Sequence, residues 1–407
     1  MLKIFISGLG ANIIFVCAGL VKQYLLAAQM SVANFGAYGT AISLASLSLL
    51  IIPFPAYLDI MVRGFSDFSK NSYLRHQLIA AVRKEILILT ILVGAGFSLI
   101  LGATFICTFP DQLILSISLL LLSQYIGAAL DLMLRMQQAH RTLAFFMVLR
   151  NLPAIFLLML TRVGSPLLVA GIDLIASVFM LFVFLNSNVL RVRAFEIRSR
   201  FRFFLTSAER TLWFARLFQF VNSSLLRLVI PFVCGAHETG LFFFSMIAQL
   251  PCSLFLSVTT QMYGHTLASL KRGEWKSLWI IQAWFILPNL AYVIVAALFM
   301  PFWEGIAIMI PGLAKYKDAG SLIMAVIVYS SVLASDCQEY LLRTRGLAHV
   351  LLQYSLFSVC VQALVVAGVF GNLFDLIHAI YFAAFIQVVV LILFTYKTFK
   401  LTIGIKL

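Results

Sequence analysis

The sequence predicts an all-α integral membrane protein with twelve transmembrane helices in two six-helix lobes and with both termini cytoplasmic. Three observations lead to this prediction. Hydrophobic residues make up 62% of the 407 residues, and the mean hydropathy is +1.04, whereas soluble domains are about 45–50% apolar. Apolar segments of about 20 residues, the length that crosses a bilayer, recur along the whole chain. The loops between them alternate between rich and poor in basic residues.

Twelve apolar segments are long enough to be candidate spans. The first follows Lys3 directly and is too long for the apolar core of a signal peptide, so we expect it to be retained. Most connections are short, and the longest are 63–84, 187–210 and 301–319. The predicted spans are 4–28, 37–62, 85–108, 113–135, 143–161, 166–186, 211–234, 239–263, 277–300, 320–342, 348–370 and 376–396.

The distribution of basic residues predicts the orientation of these spans. With the N-terminus in the cytoplasm, 22 of the 29 basic residues fall in cytoplasmic segments, three in outer loops and four inside spans. Lys and Arg are enriched in cytoplasmic loops of membrane proteins, so this pattern predicts that both termini are cytoplasmic. It also accounts for the formal net charge of +14 without a nucleic-acid partner, because no soluble domain is predicted that would carry a nucleic-acid-binding patch.

A basic connection divides the chain into two halves. We predict an N-terminal lobe over 1–190, a cytoplasmic linker over 191–210 and a C-terminal lobe over 211–407. The linker region, LRVRAFEIRSRFRFFLTSAER, interleaves Arg with Phe. We favour a cytoplasmic anchor between the lobes, and the alternative is an interfacial helix on anionic lipid.

The two halves share a sequence pattern at their first two spans. A cation lies late in the first span of each half, at Lys22 and at Arg227, and a glycine opens the second span shortly afterwards, at Gly36 and at Gly240. Paired halves are a common construction of secondary transporters, which place the substrate site at the interface of the repeats. The pattern therefore favours a transporter.

Several short segments carry a resemblance to a known family: ANFGAY (33–38), its counterpart HETGLF (237–242), the basic central connection, and the charged turn LLRTRG (341–346) after the tenth span. In their order along the chain they resemble the polysaccharide repeat-unit flippases of the multidrug/oligosaccharidyl-lipid/polysaccharide (MOP) exporter superfamily. The resemblance implies a MATE-like pair of six-helix lobes that alternates between inward-open and outward-open states. It also implies a location in the bacterial inner membrane and a function without a cofactor.

The same resemblance implies the substrate and the partners. The substrate would be an O-antigen or other surface polysaccharide repeat unit, usually linked to undecaprenyl pyrophosphate. The protein would move this lipid-linked oligosaccharide from the cytoplasmic to the outer leaflet, driven by an ion gradient. Besides membrane lipid, a polysaccharide polymerase and a chain-length regulator would be further partners.

Four cations lie inside predicted spans without an acidic residue at helical spacing. A central Arg costs about 2.5–3.5 kcal/mol on insertion scales unless it faces protein or water. We expect these cations to face a hydrated cavity and bind the anionic part of the substrate, since Arg binds phosphate oxygens through a planar fork. The alternative is a purely structural role. The predicted substrate-binding residues are Lys22, Arg150, Arg216 and Arg227.

Two acidic residues are candidates for ion coupling. Asp173, in the sixth span, is favoured as a counter-ion for Arg150 or Lys22, and a protonatable coupling role is the alternative. Asp336 lies one helical turn before Glu339 in the tenth predicted span. Two close carboxylates raise one another's pKa, which would suit coupling, but a hydrogen-bonded helix end is the favoured interpretation.

Two other functions stay open. A cationic-drug antiporter of the same superfamily would require buried carboxylates, which the unpaired cations outnumber. A membrane polysaccharide polymerase or ligase would require a large outer loop, and the longest, 301–319, carries few groups suited to glycosyl chemistry. The six cysteines show no metal-binding spacing, and a disulfide between Cys107 and Cys234 also stays open.

Overall fold

The computed structural model describes residues 2–51, 111–136, 151–161, 164–186, 207–269, 275–337, 348–370 and 375–403. Every regular element within these ranges is helical. Short 3₁₀ segments follow α7, α9 and the turn after α10. The α-helices are α1 (Leu2–Gln29), α2 (Val32–Ile51), α3 (Asp111–Met136), α4 (Asn151–Leu160), α5 (Pro166–Asn186), α6 (Ser207–Val233), α7 (Ala236–Ser245), α8 (Leu250–Ser269), α9 (Trp275–Phe299), α10 (Trp303–Met309), α11 (Gly320–Ala334), α12 (Ala348–Phe370) and α13 (Leu376–Ile403).

The chain forms two compact units, Met1–Trp213 and Phe214–Leu407. In the first unit, α3 packs between α2 and α5. In the second unit, α11 is the central helix and packs against α7, α8, α9 and α13. The predicted lobes 1–190 and 211–407 stay predictions, and most of the predicted linker 191–210 lies outside the described residues.

Six segments in the described part of the chain are long and apolar enough to cross a membrane. Five of them belong to the second unit. The predicted total of twelve spans and the cytoplasmic termini stay predictions, and the predicted span 85–108 lies outside the described residues. The six segments are Pro166–Val183, Ala236–Thr260, Lys276–Met309, Ala314–Ala334, His349–Gly368 and Leu376–Thr395.

Both units contain the same helical break near their start. α1 ends at Gln29 and α2 begins at Val32, while α6 ends at Val233 and α7 begins at Ala236. ANFGAY and HETGLF therefore lie in the first turns of α2 and α7. Ser31 starts α2 earlier than predicted, because its hydroxyl accepts a hydrogen bond from the Asn34 backbone N–H at 3.2 Å.

The tenth predicted span is shorter than expected. α11 ends at Ala334, so the prediction that Asp336 lies on this helix is wrong. Gln282 of α9 explains the early end, because its Nε2 donates a 2.6 Å hydrogen bond to the carbonyl of Ser335. A buried side chain thus takes up a backbone acceptor that the helix end leaves without an intrahelical partner. Glu339 lies outside the described residues.

The cysteines in the described part of the chain are free thiols, and Cys234 is one of them. Cys107 lies outside the described residues.

The last helix begins at a carboxylate cap that makes stability depend on pH. Asp375 Oδ1 accepts hydrogen bonds from the His378 backbone N–H at 2.8 Å and from His378 Nδ1 at 2.6 Å. These bonds favour the ionised carboxylate, so the pKa of Asp375 lies below its ordinary value. The stabilisation is present above the unfolded-state pKa of about 4. It is lost as the pH falls through the lower folded-state pKa.

We expect Asp375→Ala to weaken the first turn of α13 by about 1 kcal/mol, whereas Asp375→Asn keeps most of the cap because Asn accepts the same backbone bond. Amide hydrogen exchange over residues 376–380 measures this difference. Equal exchange in the Ala variant and the wild type would contradict the assignment of Asp375 as the cap.

Candidate functional site

In the first unit, Asp173 of α5 joins three helices. Its carboxylate forms an ion pair with Lys22 of α1 and accepts a 2.8 Å hydrogen bond from the Tyr38 hydroxyl of α2. The side chains of Lys22 and Asp173 are only 13% and 12% exposed. Ser123 of α3 donates a 3.1 Å hydrogen bond to the Asp173 carbonyl. The Lys22 charge is therefore compensated within the unit.

Two of the predicted substrate-binding cations are not among the described residues that line a cavity. Arg150 lies outside the described residues. Its neighbour Asn151, the first described residue of α4, is buried, and its Nδ2 has no hydrogen-bond partner in the described part of the chain. Arg216 of α6 is partly buried and has a partner of its own within the protein. It is not among the described residues that line the cavity of the second unit.

The second unit contains a polar cavity of about 290 Å³. Most of its lining side chains carry amides or hydroxyls, and α6, α8, α11, α12 and α13 contribute to it. Two predicted site residues, Arg227 and Asp336, both line it. The lining residues are Gln219, Asn222, Ser223, Arg227, Gln249, Cys252, Ser253, Leu256, Tyr329, Ser330, Leu333, Ala334, Asp336, Tyr354, Ser355 and Gln387.

Arg227 is held at one side of this cavity by a single side-chain hydrogen bond. One of its terminal nitrogens donates to Gln249 Oε1. Its Nε atom is buried and has no hydrogen-bond partner among the described residues, and the same holds for Gln219 Nε2, which lies earlier on α6. Within the described part of the chain, no carboxylate lies within 4.0 Å of Arg227. Arg227 is therefore a partly buried cation whose buried Nε donor has no partner among the described residues.

Asp336 contributes a carboxylate to the same cavity. Tyr354 of α12 donates a 2.7 Å hydrogen bond to Asp336 Oδ2. Because Asp336 follows the end of α11, its carboxylate reaches the cavity from a non-helical segment. One cation and one carboxylate thus line the described cavity.

A network of hydrogen bonds joins several of the polar side chains that line the cavity. Ser358 Oγ lies 2.7 Å from Asn222 Oδ1 and 2.8 Å from Gln387 Oε1. Gln387 Nε2 in turn lies 3.4 Å from the Tyr354 hydroxyl, which it reaches as a donor. The network connects α6, α12 and α13. Buried polar groups linked in this way fix the positions of the side chains that they join.

The amides were not identified from the sequence. Gln219, Asn222, Gln249 and Gln387 lie in apolar helices, where an amide without a hydrogen bond is costly. This cost is the signal that could have identified them, because polar residues in transmembrane helices bond to one another or face a cavity. Charge alone singles out Arg227 and Asp336 in the sequence, and the uncharged amides are missed by that criterion.

Comparison with known proteins places the fold. No protein-family profile matches the sequence, and no curated protein matches it either. Solved structures do match it along nearly its full length. The MATE multidrug transporter DinF-BH is 12% identical with a TM-score of 0.62, and the match covers 99% of this chain and 96% of that one. The chain has the MATE fold.

Two further structures agree. An outward-facing multidrug resistance MATE transporter of the MOP superfamily is 13% identical with a TM-score of 0.59, covering 99% of this chain and 97% of that one. A MOP superfamily transporter from Pyrococcus furiosus is also 13% identical, with a TM-score of 0.61 and coverage of 98% and 94%. The MATE fold and the six described segments that are long and apolar enough to cross a membrane together indicate a multi-pass membrane protein.

Proposed function

We propose that this protein is a flippase that carries a lipid-linked oligosaccharide from the cytoplasmic to the outer leaflet of a bacterial inner membrane. The observation that carries the proposal is the Arg227 cavity. It combines the partly buried guanidinium of Arg227, which has no carboxylate within 4.0 Å in the described part of the chain, with the Asp336 carboxylate and a lining rich in amides and hydroxyls. The saccharide of a lipid-linked oligosaccharide offers many hydroxyl groups, which can both accept hydrogen bonds from Arg227 and the amides and donate to Asp336.

The polarity of the cavity argues against a cationic-drug antiporter. A lipophilic cation is attracted by carboxylates and by apolar walls. In this cavity Asp336 is a single carboxylate among mostly polar side chains, and Arg227 would repel the cation at short range. The MOP superfamily transporter from Pyrococcus furiosus is described as having a binding pocket of reverse polarity that suggests a different function. A change of pocket polarity on this fold therefore has a precedent.

A polymerase or ligase is disfavoured by the outer segment between α9 and α11. Its ionisable side chains are few, and it is largely taken up by packing, because Trp303 Nε1 donates to the Tyr316 carbonyl and the Tyr316 ring stacks on Phe244. The transporter fold of the full chain points the same way.

The four predicted cations do not have equal standing in the proposal. Arg227 has the strongest support, and Arg150 and Arg216 are retained as candidates for the pyrophosphate. Lys22 has the weakest support, because a substrate would have to compete with Asp173 for it. Ion-gradient coupling through Asp173 or Asp336 is part of the proposal, since protonation of Asp173 would remove the partner of Lys22. A polymerase and a chain-length regulator are proposed partners.

The test is deletion of the gene in the cells from which the sequence comes, with two measurements. We expect surface polysaccharide to be lost and lipid-linked repeat units to accumulate on the cytoplasmic leaflet. Wild-type protein and the Arg210→Ala variant, which alters an exposed residue at the start of α6, should both restore export. Repeat units that reach the outer leaflet without the protein would refute the proposal and favour a polymerase or ligase.

A further inference from the structure

The cavity of the second unit presents hydrogen-bond donors and a carboxylate acceptor together. Arg227 Nε and Gln219 Nε2 are buried donors without a partner among the described residues. Asp336 supplies a carboxylate, which accepts several hydrogen bonds at once and receives one from Tyr354. A ligand that satisfies this lining must therefore both accept and donate hydrogen bonds.

We infer that this cavity binds a single uncharged sugar ring of the lipid-linked saccharide and so selects the substrate, while the pyrophosphate binds elsewhere. The inference rests on the proposed function. A hydroxyl carries one donor and two acceptor lone pairs, so neighbouring ring hydroxyls bond to Arg227 and Gln219 on one side and to Asp336 on the other.

Other parts of a substrate fit the lining less well. A pyrophosphate has acceptors only and carries at least two negative charges, so Arg227 would attract it and Asp336 would repel it. A cationic ligand would be attracted by Asp336 and repelled by Arg227. An uncharged ring avoids both conflicts, because it carries no charge that Arg227 or Asp336 would repel.

The size of the cavity limits what enters it. Small-molecule pockets commonly measure about 300–1,000 Å³, and this one measures about 290 Å³. A space at the lower end of that range accommodates one ring rather than a chain of several. The rest of the repeat unit lies outside the cavity.

Contacts within the protein already fix the positions of several lining side chains. Ser358 Oγ lies 2.7 Å from Asn222 Oδ1 and 2.8 Å from Gln387 Oε1, and these contacts fix the two lining amides. Gln249 fixes one end of the Arg227 guanidinium. Fixed groups reduce the entropy that is lost on binding. Buried donors without partners are rare in native proteins and require an explanation, and a sugar ring that arrives during transport supplies the acceptors.

The experiment is isothermal titration calorimetry of the purified full chain in detergent with three kinds of probe: a panel of methyl hexosides and methyl N-acetylhexosaminides, inorganic pyrophosphate, and the lipophilic cation tetraphenylphosphonium. We expect at least one glycoside to bind in the millimolar range. Gln219→Leu, which keeps the approximate size and removes the donor, and Arg227→Met should each weaken that binding about tenfold or more. Arg210→Met, on the exposed start of the same helix, should leave it unchanged.

The other outcomes overturn the inference. If no glycoside binds to the wild type, the cavity is not a sugar site. Binding of pyrophosphate that depends on Arg227 would make it an anion site, and binding of tetraphenylphosphonium that depends on Asp336 would make it a drug site. Should Arg227→Met not fold, Arg227→Lys keeps the charge, removes the Nε donor and is expected to weaken glycoside binding in the same direction.

Failure of this inference can be told apart from failure of the proposed function. Trapped lipid-linked repeat units in the deletion strain together with no glycoside binding would leave the flippase intact and reject the sugar cavity. Glycoside binding with normal export in the deletion strain would reject the flippase.

Discussion

Arg227→Ala is expected to reduce export of the lipid-linked repeat unit to about a tenth of the wild-type rate or less. The side chain is the described cation of the cavity, and hydrogen bonds to charged groups contribute about 1.5–3 kcal/mol each, which corresponds to at least a tenfold effect. Because its Nε has no hydrogen-bond partner among the described residues, most of the loss should fall on the substrate rather than on folding. Surface polysaccharide in the complemented deletion strain measures the effect, with protein level determined in parallel.

One further variant at this position separates the effect of charge from that of geometry, and a variant elsewhere on the helix is the control. Arg227→Lys keeps the positive charge and loses the planar fork and the Nε donor, so we expect only partial rescue. Arg210→Ala removes an Arg from the exposed start of the same helix and should export normally. The corresponding change at Arg150, Arg150→Ala, is expected to lower export as well. Normal export by Arg227→Ala would reject the cavity assignment, and normal export by Arg150→Ala would reject Arg150 as a substrate-binding residue.

Asp173→Ala is expected to destabilise the first unit by about 3–5 kcal/mol. Removing one partner of a buried ion pair leaves the other charge uncompensated, and this loss exceeds the net contribution of the intact pair. Lys22 would remain largely buried without its carboxylate, and the Tyr38 hydroxyl would lose its acceptor. Thermal unfolding of the purified protein, followed by circular dichroism, measures the change.

A double variant tests whether the cost arises from the stranded charge. Lys22→Met combined with Asp173→Leu replaces the pair by apolar side chains, which is often neutral for a buried pair, and should recover most of the lost stability. Asp375→Ala is the comparison variant for an exposed pair, because the Asp375 carboxylate is 63% exposed and pairs with an exposed histidine. Its loss of stability should stay at about 1 kcal/mol, as for a helix cap. A double variant as unstable as Asp173→Ala would show that the stability of the unit does not depend on charge compensation.

Several helix limits could be predicted from the sequence alone. The predicted spans 166–186 and 348–370 coincide with α5 and α12. In both, a long apolar segment is bounded by residues that end or begin helices locally, such as Pro166 at the first helical position. Nothing beyond local composition is needed to define such a helix.

The partner of Asp173 could not be predicted in the same way. From the sequence, Arg150 and Lys22 were both acceptable counter-ions. Lys22 and Asp173 are 151 residues apart in the chain, so their contact depends on how α1 and α5 pack. Periodicity within one helix contains no information on which face of another helix lies opposite.

The same limit applies to the cavity. The sequence predicts Asp336 as a site residue on a helix. In the structure the helix ends before it, where Gln282 of α9 bonds to Ser335, and Asp336 lines the cavity from the segment that follows. The amides of the lining stand out as polar residues in apolar segments, but the sequence does not show that they face one space. Their role follows from packing that brings five helices around one space.

By itself, the sequence determined that this is a helical membrane protein, where several of its helices begin and end, and that cations at membrane depth require an explanation. These properties depend on the transfer of side chains between water and lipid, which acts on each segment separately. Only the tertiary structure decided which charges are compensated and which are not. Lys22 has a carboxylate partner and Arg227 has none within the described part of the chain, because a buried charge is stabilised by groups that meet in space rather than in sequence.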